Sequence, residues 1–299
     1  MKNSVCRPCR MMILAVAASL AGCRQEADRP SPRGTTNNAP AVDLDAEISH
    51  ATKTQRPLVV LITETEPGAA DTQARGLLED TTGDGPRDRV TPVLIDLANS
   101  RNRATAACFH FTEMPLLVCL SPAGVILSRD EPPITKDLVR KRIEQGVRLA
   151  PEVDKEFASL QGAVAKNAND LAAKLKLADF LIAHQNAREA IPLLAAVAAS
   201  DAVEMKDRVR AWVELARAHF WVLESEKCRH VAKDLIATLG PKSPEAVAGG
   251  NLVLGLQEAR SKRIALARRE FAAAIAAAPQ SVYAKQATEA VAKLPTEVK

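Results

Sequence analysis

The 299-residue chain is short of aromatic side chains: Phe, Trp and Tyr together make up 3% of it. So thin a supply argues against base stacking or a large aromatic ligand pocket. It also lacks a dominant charge. The formal net charge is +4, with 25% of residues charged, too mild a balance to make nucleic acid the partner. The longest early apolar run, Met11 to Leu20, falls short of the about 20 residues that a permanent transmembrane helix needs. Chemical constellations are missing as well. There is no phosphate-cradling glycine loop, no Ser/His/Asp arrangement with local context and no defensible carboxylate pair. His184, His219 and His230, taken with Cys228, match no tetrahedral metal spacing, so they are expected to be structural. Neither a metal nor a cofactor is implied.

What is present begins with an export pattern. Lys2, Arg7 and Arg10 form a positive leader, Met11 to Leu20 an apolar core, and Leu20-Ala21-Gly22-Cys23 ends it. That ending resembles the lipobox of bacterial lipoproteins. The resemblance implies cleavage after residue 22, a diacylglycerol on Cys23 and a membrane anchor facing the cell envelope; an ordinary secretory leader followed by a chance cysteine is the alternative. Cys6-Arg7-Pro8-Cys9 has redox spacing but lies inside the leader and would be discarded with it. Residues 23–42, rich in Pro, Asn, Thr and charge, read as a disordered tether.

Texture then changes twice. Residues 43–150 mix Val/Ile/Leu runs with Pro and Gly punctuation, and residues 165–299 are rich in Ala, Leu, Lys, Arg and Glu, which argues for two domains, 43–150 and 151–299. In the first, Asp43 to Thr54 has helical spacing. Arg56 to Ile62 holds a buried-strand run, and Val90 to Leu97, Leu116 to Leu120 and Val125 to Ser128 are three more strands. Thr135 to Leu149 closes the domain as a helix. Alternation of this kind predicts an α/β sandwich. The order, with Arg56-Pro57 before the first strand, a strand ending in Asp96 and Met114-Pro115 opening a hairpin, resembles the thioredoxin-like superfamily. The resemblance implies a cis bond at Pro115. It also places the redox tetrapeptide at Pro67, Gly68, Ala69 and Ala70, where both cysteines are missing. Without a thiolate at a helix N-terminus, disulfide exchange has no nucleophile, so the domain is expected to be redox-inactive. Cys108 and Cys119 read as small core residues, a disulfide between them being the other possibility.

The second domain repeats. Ala178, Leu181, Ala190 and Leu194 share offsets with Ala216, His219, Cys228 and Ala232. Gly255, Glu258, Ala267 and Phe271 share them again, followed by Ala274 and Pro279. The third member recurs after 38 residues (190 to 228) and after 39 (228 to 267). Small residues at matching offsets let paired helices cross closely, and the pattern resembles the tetratricopeptide (TPR) repeat; a plain Ala-rich helical bundle is the alternative. The resemblance implies a curved array whose first helices line a groove for a protein or peptide partner. Its offsets place Asp179, Arg210, Arg217, Trp221 and Arg260 in that groove. The domain order resembles thioredoxin-like co-chaperones. The expected function is therefore a membrane-anchored, chaperone-like protein-binding scaffold of the cell envelope, not an enzyme. The rival is a thiol–disulfide oxidoreductase using Cys108, Cys119 or Cys228.

Overall fold

The computed structural model describes residues 41–64, 76, 89–106, 109 and 113–295. Cys23, the tetrapeptide Pro67 to Ala70 and Cys108 lie outside the described residues. The chain divides into two compact units: Met1–Ala168 with Ala183–Asn186, and Asn169–Ile182 with Ala187–Lys299.

The first unit runs α1 (Leu44–Thr54), β1 (Leu58–Thr63), β2 (Thr91–Asp96), a 3-10 turn (Ser100–Asn102), α2 (Arg103–Ala106), β3 (Leu116–Leu120), β4 (Ile126–Asp130) and α3 (Lys136–Lys166). The strands form one mixed sheet in the order β2-β1-β3-β4. β1 is parallel to β2, and β3 is antiparallel to β1 and β4. Every residue of β1 is buried, as a continuous apolar run on a strand covered from both sides requires. Period-two alternation divides the work. Leu58, Val60 and Ile62, with Leu116, Val118 and Leu120, pack against Leu44, Ile48 and Ala51 of α1. Val59, Leu61, Leu117 and Cys119 pack against Val139 and Ile143 of α3. β2 is an edge strand, where Pro92 can lack an N–H without breaking the sheet. Asp43 caps α1 by accepting from Ala46 N–H at 3.2 Å, and Thr135 caps α3 by accepting from Leu138 N–H at 3.2 Å.

Two elements differ from the sequence expectation. β4 starts at Ile126, because Val125 closes the preceding turn: its carbonyl accepts from Ser121 N–H at 2.8 Å, and Gly124 takes φ +85°. α3 does not stop at Leu149 but continues to Lys166 with Pro151 inside it. Its buried stripe explains why. Ile143, Ala150, Phe157 and Val164 recur every seven residues straight through the proline. Asp154, one turn on, accepts from the Ala123 N–H of the β3–β4 turn at 3.2 Å. Those contacts outweigh the single backbone hydrogen bond that proline removes.

The described residues beyond α3 form helices joined by short connections: α4 (Leu171–Ala183), α5 (Ala187–Ala198), α6 (Met205–Trp221), α7 (Ser225–Leu239), α8 (Pro244–Arg260), α9 (Ile264–Ala277) and α10 (Val282–Lys293). Helices α4/α5, α6/α7 and α8/α9 are joined by short turns, each with one left-handed residue: Gln185 (φ 59°), Leu223 (φ 60°) and Lys262 (φ 59°). Those three lie 38 and 39 residues apart (185 to 223, 223 to 262), the periods read from sequence. The small residues at matching offsets are all interior. Ala178, Ala190, Ala216, Cys228 and Ala267 have 0% exposure, and Gly255 is buried on α8. A Cβ on Gly255 would stand 2.5 Å from the Phe271 ring, so α8 and α9 approach as closely as glycine permits.

Candidate functional site

In the sheet unit, Pro115 is buried immediately ahead of β3, and the Met114–Pro115 peptide bond is cis, as is Pro132–Pro133. Cys119 is a free, buried thiol. Burial pushes its pKa up to about 12, against a smaller opposing pull from Arg142. Cys228, in the helical unit, is also free and buried, and burial pushes it up to about 11 although Arg260 and Arg229 act the other way. A thiol held that far above neutrality supplies almost no thiolate, which is the species that attacks disulfides.

The helical unit gathers most of the groove residues that the repeat offsets pick out. Arg210, Glu214, Arg217 and Trp221 follow one another at intervals of four, three and four residues along α6, which puts them on one helical face. Arg210 pairs with Asp179 of α4 at 3.2 Å and with Asp207 at 3.5 Å. Arg217 pairs with Glu214 at 3.1 Å and lies over the Trp221 ring, 5.1 Å from its centroid. α8 and α10 add Gly249 and Tyr283: a Cβ on Gly249 would touch the Tyr283 ring at 3.5 Å. Burial, with Glu214 adding to it, pushes the Tyr283 hydroxyl up to about 12. Burial likewise raises the Glu214 and Asp179 carboxyls, opposed by Arg217 and Arg210 respectively. One Glu214 oxygen, Oε2, is buried with no hydrogen-bond partner. Such an oxygen is an unfilled acceptor of the kind native interiors seldom leave. The ion pairs beside it are partly open to water, and pairs of that sort contribute at most about 1 kcal/mol. They can therefore exchange partners cheaply.

Arg260 stands apart from this group. Its guanidinium donates to the Phe220 carbonyl, to Ser225 Oγ at 3.3 Å and to Gln257 Oε1, and it covers the Phe220 ring at 3.9 Å. It ties α8 to the α6–α7 turn. Glu214 and Tyr283 are site residues that the repeat offsets do not pick out. Glu214 is visible in the sequence as the missing member of the stripe 210, 214, 217, 221; Tyr283 carries no local signal. His219 bonds Glu224 through Nδ1 at 2.6 Å, and burial lowers its pKa. His230 Nε2 lies 3.2 Å from Asp234. Among the described residues no cluster of His, Cys, Asp and Glu could hold a metal ion. No described helix is long and apolar enough to cross a membrane.

No protein-family model and no curated protein matches the chain.

Proposed function

We propose that this chain is a lipid-anchored, polypeptide-binding scaffold of the bacterial cell envelope. In this reading a thioredoxin-like domain without disulfide chemistry is followed by a TPR-like array whose inner face takes the partner. The observation that carries it is the α6 face, where Arg210, Glu214, Arg217 and Trp221 line up, Asp179 pairs with Arg210, and Tyr283 of α10 lies within electrostatic range of Glu214, Arg210 and Arg217. Acids, bases and aromatic rings with open pairing are what an extended peptide needs for its backbone and side chains. The thioredoxin-like reading of the first unit draws support from the β2-β1-β3-β4 order, with β3 antiparallel to β1. The TPR-like reading draws it from three left-handed turns at the sequence period and from small residues buried at matching offsets. Cys119 and Cys228, buried and held protonated, weigh against the oxidoreductase alternative. The anchor rests on Leu20-Ala21-Gly22-Cys23.

The test is site-specific photo-crosslinking in the envelope of a bacterium expressing the full chain. A photoreactive residue at Trp221 should give polypeptide adducts, and Arg217→Glu should remove them. The same probe at exposed Lys233 on α7 should give none. Equal adducts at both positions, or none at Trp221, would overturn the binding face. Cys23→Ser should abolish metabolic labelling with a fatty acid and release the protein from membranes. Retained label would dispose of the lipobox.

A further inference from the structure

The first unit contains a cavity of about 280 Å³ at the end of the sheet where β1 and β2 begin, opposite the end that carries Pro115. Arg56 from the α1–β1 connection and Arg89 from the approach to β2 both line it. Val147 and Ala150 of α3 supply an apolar wall.

The other polar side chains on this wall are already engaged within the chain. The Thr54 hydroxyl donates to the His50 carbonyl at 3.0 Å, and Gln55 Nε2 to the Thr52 carbonyl at 2.7 Å. Asp154, the one carboxylate on the wall, serves the β3–β4 turn: it accepts from Ala123 N–H at 3.2 Å and from the Ser121 hydroxyl. The two arginines are not engaged. Elsewhere in the unit, arginines find carboxylates: Arg142 makes a two-pronged contact to Asp130, at 2.7 and 2.6 Å, and Arg129 meets Glu131 at 2.8 Å. Neither Arg56 nor Arg89 has a side-chain hydrogen bond or ion pair among the described residues. Two guanidiniums on one small cavity repel each other, and an anion between them turns that repulsion into attraction.

We propose that this cavity binds the phosphate group of a monoester, with Arg56 and Arg89 on the phosphate oxygens and the adjoining carbons of the ester against Val147 and Ala150. Charge and shape select phosphate over carboxylate. A phosphate monoester carries about −1.5 to −2 charges near neutrality, which matches two guanidiniums. Its three terminal oxygens serve two planar donor forks, whereas the two oxygens of a carboxylate are filled by one. An amine would face two positive charges. The volume lies just under the about 300 Å³ at which pockets for drug-sized ligands begin, so only the phosphate and a few carbons enter. This inference is independent of the polypeptide-binding reading of the helical unit.

Calorimetric titration of the full chain with butyl phosphate, inorganic phosphate and butyrate at fixed ionic strength tests it. Butyl phosphate should bind saturably, at least about tenfold more tightly than either of the others. Arg56→Gln and Arg89→Gln should each weaken it by about tenfold or more with the thermal melt unchanged. Lys53→Gln removes an equal charge from an exposed position on α1 outside the cavity, and should change binding by less than about twofold, since salt screens a charge at that remove. A soluble ester and a lipid headgroup present the same phosphate chemistry. Flotation with phosphatidylcholine vesicles carrying phosphatidic acid separates them: arginine-dependent flotation without binding of butyl phosphate assigns the monoester to a lipid, and binding of butyl phosphate without flotation assigns it to a soluble metabolite. Absence of saturable binding to both butyl phosphate and these vesicles, butyrate or inorganic phosphate binding as tightly as butyl phosphate, or a loss in Lys53→Gln equal to that in the two arginine variants would each overturn the proposal.

Discussion

The two units build their interiors by opposite means. The sheet unit fills space: Leu58, Val59, Val60, Leu61 and Ile62 are all at 0% exposure, and large side chains from α1 and α3 meet them from either face. The helical unit removes material instead. Its crossings are lined by buried small residues, Ala178, Ala190, Ala216, Cys228, Gly255 and Ala267, and the Phe271 ring packs directly onto Gly255. The same hydrophobic effect drives both, but they fail in opposite directions. A core of large residues is damaged by losing a methylene, a core of close crossings by gaining one.

The largest expected effect follows from the first half of that contrast. Leu61→Ala empties a site on the central strand, and its cost should be about 2–5 kcal/mol. Hydrogen exchange read by mass spectrometry should show the loss of protection in peptides of β1 and β3, with α6–α9 unchanged. A cost spread equally over the helices would mean that the two units do not keep separate cores. The second half predicts the next effect. Gly255→Ala adds one methyl 2.5 Å from the Phe271 ring, and overpacking of that kind costs about 1–3 kcal/mol, offset in part by the better helix propensity of alanine, worth about 1 kcal/mol. Protection should fall in α8 and α9. Restoring it with Gly255→Ala combined with Phe271→Leu would identify the ring as the obstacle.

Much of this division is legible in the residues. Leu116–Leu120 reads as a strand to the residue, because Pro115 and the Ser121-Pro122 turn bracket it. The helical period is legible because small residues recur at fixed offsets, and the three left-handed turns carry the same spacing. Where reading fails, the cause is a contact distant in sequence. Local spacing ends α3 at Leu149, ahead of Pro151, yet Phe157 and Val164 continue the buried stripe and Asp154 holds the β3–β4 turn. Offset places Arg260 in the groove, but offset cannot show that the Phe220 carbonyl, in the last turn of α6, accepts from the Arg260 guanidinium as well as from Leu223 N–H. The pairing of Glu214 with Arg217 needs only the helical period; its buried, unpartnered oxygen needs the packing of other helices around it.

A pH measurement sharpens the contrast at smaller amplitude. Burial raises the folded-state pKa of Glu214 above its ordinary 4.5. The folded chain therefore holds that proton more tightly than the unfolded chain. The associated stability is fully present below 4.5 and is lost as pH rises through the higher folded value. Asp179 acts with the same sign. His219 acts with the opposite one: burial lowers its pKa, so its contribution is present above 6.5 and is lost as pH falls through the folded value. Glu214→Gln should flatten the decline in α6 protection as pH rises above 4.5, leaving the part due to Asp179. Parallel wild-type and variant profiles would show that water reaches the carboxylate freely and that Glu214 is not an unfilled acceptor.

The smallest effect tests the turns. Leu223 is 55% exposed and has φ 60°, a conformation that costs an L-residue about 1–2 kcal/mol. Glycine removes that cost but gives up about 0.5–1 kcal/mol of chain entropy, so Leu223→Gly should stabilise the helical unit by less than about 1 kcal/mol. The turn itself needs no side chain. Leu223 N–H donates to the Phe220 carbonyl at 3.2 Å and Glu224 N–H to the His219 carbonyl at 3.0 Å, both from the backbone. Leu223→Ala is the control: it removes the same apolar surface but keeps a Cβ in the left-handed region, so it should bring no gain. Lys262→Gly, at the equivalent turn, should repeat the rise. Denaturant midpoints for the three variants separate the outcomes. If Leu223→Gly falls with Leu223→Ala instead of rising with Lys262→Gly, then the Leu223 side chain contributes to stability through contacts of its own, and the turns are not equivalent beyond their backbone angles.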